Sequence, residues 1–367
     1  VAIGAYTNDG NGTNSGHVRI YQYNNNSWSQ LGADIDGEVA GDLSGYSVSL
    51  SSDGSRVAIG AFNNDGNGSN SGHVRIYQYN NNSWSQLGAD INGEAADDYS
   101  GESISLSSDG SIVAIGAFQN DGNGTNSGHV RIYQYNNNSW SQLGDDIDGE
   151  AADDRSGYSV SLSSDGSRVA IGAYRNGNLS GHVRIYQYNN NSWSQLGADI
   201  DGEAENDVSG WAVSLSSDGT RVAIGAGNND GNGDNSGHVR IYGYNGSAWA
   251  QVGADIDGEA AGNQSGRSVS LSSDGSIVAI GAPFNNENGT NSGHVRVYSI
   301  SSGDSYQYSW NVSSTLSDGD YKVTVAGADL AVNAYSGTDS ITFTLDTLHL
   351  QSLLPIPIVI IWFLLLR

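Results

Sequence analysis

Between Ser44 and Ile91 the apolar and polar positions fall into four short blocks with strand periodicity. In Tyr46-Ser-Val-Ser-Leu-Ser51, Val48 and Leu50 alternate with serines, the period of two expected when one face of a strand is buried. Ser52-Asp-Gly54 follows, and Asp-Gly accepts positive φ cheaply, so it reads as a hairpin turn. The second block, Arg56 to Phe62, is apolar at odd and even positions alike, as in a strand held between two packed layers. A Gly/Asn/Asp loop leads to a third block, Gly72 to Tyr79, rich in β-branched and aromatic residues. Asn80 to Ser83 makes another turn, and Trp84 to Ile91 is the fourth predicted strand.

The same unit recurs along most of the chain. Val-Ala-Ile-Gly-Ala begins at Val1, Val57, Val113, Val169, Val222 and Val278, at spacings of 56, 56, 56, 53 and 56 residues. A fixed period of this length marks a repeat architecture, and a parallel β-helix coil is far shorter. Four antiparallel strands per unit predict an all-β fold, a β-propeller of four-stranded blades. Second and third strands occur six times, first and fourth strands five times, so six blades are expected, with five or seven as alternatives. The chain opens without a first strand, which reads as a fragment whose N-terminus is missing. Residues 1–300 form the predicted propeller.

Beyond Ser301 the pattern stops. Residues 301–347 alternate apolar and polar positions around a Ser317 to Asp320 turn. They resemble the second half of a bacterial immunoglobulin-like surface domain, though they are too few for a complete sandwich. Tyr306 to Val312 is a candidate for the missing fourth strand of the last blade. Residues 348–367 form a hydrophobic tail. Its apolar run, Leu353 to Leu366, contains two prolines and falls short of the ~20 residues needed to span a bilayer. A truncated membrane anchor, a surface-sorting tail and a shifted reading frame all fit it.

Charge narrows the partners. Forty acidic residues against fourteen basic ones give a formal net charge of -26. That excludes nucleic acid, whose phosphates need clustered Lys and Arg. It fits an extracellular protein, a cation-rich setting or bound divalent metal. With no cysteine, the chain has no disulfide, thiolate metal site or cysteine nucleophile.

Strand parity places the chemistry. In an antiparallel blade, the loop between second and third strands emerges on the same face as the loop leading to the next blade. Both loops carry acids, so one face of the disc is acidic. The first loop reads Asp65-Gly-Asn67, with cognates at Asp121/Asn123 and Asp230/Asn232/Asp234. Its alternating oxygens suggest a weak Ca²⁺ site, although no bidentate Glu closes it. The second loop holds Asp34, Asp36, Glu38 and Asp42, and in a later copy Asp146, Asp148 and Glu150. Such crowded like charges call for a cation or solvent. Paired acids also suit glycoside hydrolysis, but five similar copies argue against a single active site, so a non-enzymatic chain is expected. The histidines at 17, 73, 129, 182, 238 and 294 open each third strand and are expected to make structural hydrogen bonds. Trp28, Trp84, Trp140, Trp193 and Trp249 read as blade-packing residues. Trp211, which replaces a Tyr at the start of an inner strand, is the one aromatic that breaks the pattern and either marks a binding patch or fills space.

The repeats resemble FG-GAP repeats, the units of the integrin-α-type β-propeller, over Val1 to about Ile300. Gly281-Ala-Pro283 matches the GAP element outright, and Ser44-Gly45 and its cognates keep the Gly of the FG element. Gly72-His-Val-Arg-Ile-Tyr77 corresponds to the family's Gly-x-Val-Tyr strand. The family's calcium loop, between first and second strands, is reduced here to Ser51 to Arg56, so calcium is not expected there. The resemblance implies a secreted or cell-surface adhesion scaffold that binds a glycan, matrix or protein ligand through its acidic loop face. Alternatives are a structural spacer or the accessory propeller of a secreted enzyme. The membrane enters only through an anchor.

Overall fold

The computed structural model describes residues 1–300 and, of the remainder, the strands Gly319–Thr324 and Ser340–Leu345, which pair antiparallel. The expected strand over Tyr306 to Val312, most of the immunoglobulin-like stretch and the hydrophobic tail lie outside the described residues. The chain divides into two compact units, Val1–Ser302 and Gly303–Arg367. Among the described residues no helix is long and apolar enough to cross a membrane.

The first unit is a six-bladed β-propeller. Blade 2 sets the pattern: an inner strand Ser47–Leu50, a second Arg56–Ala61, a third His73–Asn80 and an outer Ser83–Gln86, joined as a meander. Blades 3, 4 and 5 repeat it. Blade 1 starts at the second strand, Ala2–Ala5, and among the described residues blade 6 reaches the third, His294–Ser299.

The predicted fourth strand is broken. After Gln86 the chain leaves the sheet, then returns as Ile91–Asn92 to pair with His73 and Val74. The break has a cause in the neighbouring blade. Gly88 adopts φ 82°, and a Cβ there would stand 2.7 Å from Trp140 Cδ1 of blade 3. The Trp140 indole occupies that gap and donates Nε1–H to the Leu87 carbonyl at 2.7 Å. Trp84, Trp193 and Trp249 make the same bond to Leu31, Leu143 and Leu196. The tryptophans are therefore blade-to-blade latches.

The core lies between blades rather than within them. Val74, Ile76 and Ile91 of blade 2 pack on Leu106, Val113 and Ile115 of blade 3, and every later junction repeats the arrangement. This is why the Val-Ala-Ile-Gly-Ala strand is apolar on both faces: Val57 and Ile59 turn to blade 1 while Ala58 turns to blade 3. In blade 6, where no described residue packs on that face, Val295 and Val297 are 68% and 65% exposed. Inner strands sit so close to the preceding blade that a Cβ on Gly60, in the second strand of blade 2, would meet the Gly101 carbonyl at 2.1 Å. Their alternating serines stitch the blades: Ser47 Oγ donates to Gly101 O at 2.6 Å, and Ser49 Oγ accepts from Leu106 N at 3.0 Å.

Candidate functional site

The two long loops of each blade meet on one face, as parity requires, and they clasp each other. Asn67 Nδ2 donates to the carbonyls of Gly93 and Glu94 at 2.9 Å, and Asn123 and Asn232 do the same to Gly149/Glu150 and Gly258/Glu259. Asp65, Asp121 and Asp230 accept the backbone N–H of Asn70, Asn126 and Asn235 at 2.7–2.8 Å. Asp234 is exposed, and its carbonyl accepts from Gly262 N. In this first loop the acids therefore shape turns. On the opposite face Asp53 does likewise: the Ser55 N–H and the Ser51 hydroxyl hold its carboxyl below the usual range. These bonds shape the Ser51 to Arg56 turn.

The acids of the second loop disperse instead of meeting one another. Asp42 is buried and accepts Val39 N–H. Asp36 and Asp148 lie exposed at the edge strand, and their carbonyls accept from Arg75 and Arg184 of the next blade. Asp34 is paired with Arg19 at 3.0 Å, which with Gln30 holds its carboxyl low. Glu38 and Glu150 cross to the following blade, where each lies 3.9 Å from a histidine Nδ1, His73 and His182. Asp146 lies 3.7 Å from His129 of its own blade. His73, His129, His182 and His238 thus each face a Glu from the blade before and an Asp from their own loop, whereas His294 faces Glu259 and Glu287 and His17 faces Asp34 alone. The expected histidine hydrogen bonds are not formed: Nε2 of His73, His129, His182 and His238 is buried without a partner. Burial, with Arg75 and Arg131 adding repulsion, depresses His73 and His129 to about 4.

A second feature sits where the inner strands begin, at the mouth of the central channel on the same face. Here the copies differ most. The residue after Ser-Gly is Tyr46, Glu102, Tyr158, Trp211 and Arg267 in blades 2 to 6. The residue before it is Leu43, Tyr99, Arg155, Val208 and Gln264. All five of the latter hold φ between 52° and 56°. For branched and bulky side chains that left-handed backbone is strained by ~1–3 kcal/mol, where Gly or Asn would sit easily.

These side chains converge. Aromatic rings run without a gap from Tyr6 through Tyr46, Phe62, Tyr99, Phe118 and Tyr158 to Tyr174 and Trp211, with centroids 4.5–5.9 Å apart. The guanidinium of Arg267 lies 4.0 Å over the Trp211 ring, and Arg155 reaches Tyr174 Oη at 3.1 Å. Tyr158 of blade 4 lies 4.9 Å from Trp211 of blade 5, which in turn carries the Arg267 guanidinium of blade 6, so one contiguous set of side chains spans three blades. Glu102 sits among them. Burial raises its carboxyl to about 7, against the lowering effects of the Tyr46 hydroxyl and Arg155. Tyr46 is in turn raised to about 12 by burial and by Glu102.

Known proteins place this architecture. Residues 34–77 and 255–298 match the FG-GAP repeat family. Compared with curated proteins, the chain has no significant sequence match. Among solved structures it is similar to the periplasmic gluconolactonase PpgL of Pseudomonas aeruginosa, at a TM-score of 0.52 and 16% identity over 94% of this chain and 98% of that one. It is also similar to Kuenenia stuttgartiensis hydrazine synthase, at a TM-score of 0.47 and 12% identity over 78% of this chain and 81% of that one.

The PpgL likeness shows shared fold, and it corrects the expectation of a non-enzymatic chain. That expectation rested on repeated copies precluding a unique site. Enzymes are built on this architecture, and the mouth is unique because the copies diverge there. Sequence reasoning weighed only Trp211 of this group. The signal that finds the rest is the copy-to-copy difference at the residues flanking Ser-Gly.

Proposed function

We propose that this FG-GAP-repeat propeller is a binding protein of the cell surface or secreted space that takes a carbohydrate ligand at its central mouth. One observation carries the reading: residues that differ between otherwise near-identical copies converge on that mouth, several on strained backbone. Aromatic faces beside Arg267, Arg155 and Glu102 offer apolar stacking for C–H-rich sugar faces and directional partners for hydroxyls. The acidic rim disfavours polyanions, so neutral or amino sugars are the expected class.

A second reading is favoured by Glu102. A carboxyl near pKa 7 in an aromatic site suits proton transfer, so the mouth also fits acid–base chemistry on the same ligand class. A neutral and amino-sugar glycan array, followed by calorimetry on hits, tests the first reading. Binding that Trp211→Ala and Arg267→Ala weaken tenfold or more supports it. Binding unaffected by both, or no binding across the array, refutes it. Product analysis on bound glycans, with Glu102→Gln as control, tests the second.

A further inference from the structure

At five blade junctions a glutamate, a histidine and a second acid bring one ligand atom each within 4.8 Å of one another: Glu38/His73/Asp90, Glu94/His129/Asp146, Glu150/His182/Asp199, Glu203/His238/Asp255 and Glu259/His294/Glu287. We infer that these junctions bind divalent transition-metal ions of the zinc class, independently of any ligand at the central mouth.

The histidine is the first ground. His129, His182 and His238 are 1% exposed, yet Nδ1 lies 3.7–3.9 Å from both carboxylates, beyond hydrogen-bond reach. In His238 neither ring nitrogen has a partner. A buried polar atom left unpaired costs free energy, and this one points at two acids. Zn–N and Zn–O bonds of about 2.0–2.2 Å place tetrahedral ligands roughly 3.3–3.6 Å apart. Closing the present spacing by a few tenths of an ångström makes a coordination sphere.

The acids supply the second ground, because in the first four clusters each is already oriented. Arg131 Nη1 lies 3.4 Å from Glu94 Oε1, while Oε2 is the oxygen facing His129. Arg131 is itself fixed by donating to the Asn92 carbonyl at 2.7 Å. Gln142 Nε2 donates to Asp146 Oδ1 at 2.6 Å, leaving Oδ2 towards the histidine. Gln86, Gln195 and Gln251 hold Asp90, Asp199 and Asp255 in the same way. One oxygen anchored by a donor and the other free is how outer-shell groups present metal ligands.

The chemistry also chooses the ion. One imidazole and two carboxylates, with room for water, suit zinc or its first-row neighbours, whereas calcium takes six to eight oxygens. The calcium expected from the loop acids is thereby replaced, at these junctions, by a softer ion held between blades.

The test uses the whole chain, stripped with chelator and titrated separately with Zn²⁺, Co²⁺ and Ca²⁺. Calorimetry and elemental analysis after dialysis should give four to five Zn²⁺ per chain, with Ca²⁺ at least tenfold weaker. Co²⁺ should show the visible absorption of a low-coordinate N/O site. Glu94→Gln with Asp146→Asn keeps the shape of both side chains and removes their charges, so the pairing with buried Arg131 weakens and the chelated protein should melt somewhat lower. It should remove one equivalent of Zn²⁺ while the chelated variant still unfolds cooperatively. His129→Gln should remove the same equivalent. Stoichiometry below one, or a Zn²⁺ count unchanged in both variants, would overturn the inference.

Discussion

Replacing Glu102 by Gln tests the electrostatics of the mouth. Burial among Tyr46, Tyr158 and the inner strands holds the Glu102 carboxyl near 7, above an ordinary value of 4.5. The folded state therefore keeps a proton that the unfolded chain releases, and stability falls as pH rises from about 4.5 to 7. At about 1.4 kcal/mol per tenfold change in proton affinity, the loss is about 3 kcal/mol at pH 8, a ceiling because the side chain is partly exposed. Glutamine has nearly the same shape and no charge to desolvate. Urea unfolding followed by tryptophan fluorescence, at half-unit steps from pH 4.5 to 8.5, compares the two chains. The variant should match the wild type near pH 4.5 and become more stable by about 2–3 kcal/mol at pH 8. All other titrating groups cancel in the difference. Parallel curves across that range would refute the argument.

Other consequences follow from the blade junctions. His73 and His129, held near 4 against an ordinary 6.5, stay neutral in the fold while the unfolded chain protonates, so metal-free protein should lose stability as pH falls from about 6.5 to 4. Melting temperatures across that window check it, and a shallower profile for a His73→Gln/His129→Gln chain would assign the effect, since burial also lowers His182 and His238. Trp140→Phe keeps the packing but orphans the Leu87 carbonyl, and should cost about 1 kcal/mol in urea unfolding. Gly116→Ala puts a methyl 1.9 Å from the Gly157 carbonyl of the adjacent inner strand, and should cost at least about 1–3 kcal/mol, with loss of cooperativity as blades 3 and 4 separate.

The blade was legible because its cause is local. Serine alternation, the Asp-Gly turn and the doubly apolar Val-Ala-Ile-Gly-Ala strand each act within a few residues, and the period repeats them. The break at Leu87 to Asp90 was not legible, because its cause is Trp140, more than fifty residues away in the next blade. The same reason hid the destination of Glu38. Read along the chain it belongs with Asp34, Asp36 and Asp42, and only the curvature of the disc carries it to His73. Parity correctly gathered the acidic loops on one face, yet most of their acids shape turns or pair with arginine. The mouth was written in the sequence as differences between copies, a signal drowned by their similarity elsewhere. Trp211 was its visible edge.

The central claim is that recognition resides at the mouth, and one comparison addresses it most directly. Affinity for a glycan captured from the neutral and amino-sugar array is measured by calorimetry for wild type, Trp211→Ala and a rim variant, Asp65→Asn with Asp121→Asn. The account predicts at least a tenfold loss for Trp211→Ala and affinity within twofold of wild type for the rim variant. The reverse pattern, with the rim variant losing binding and Trp211→Ala keeping it, would contradict it.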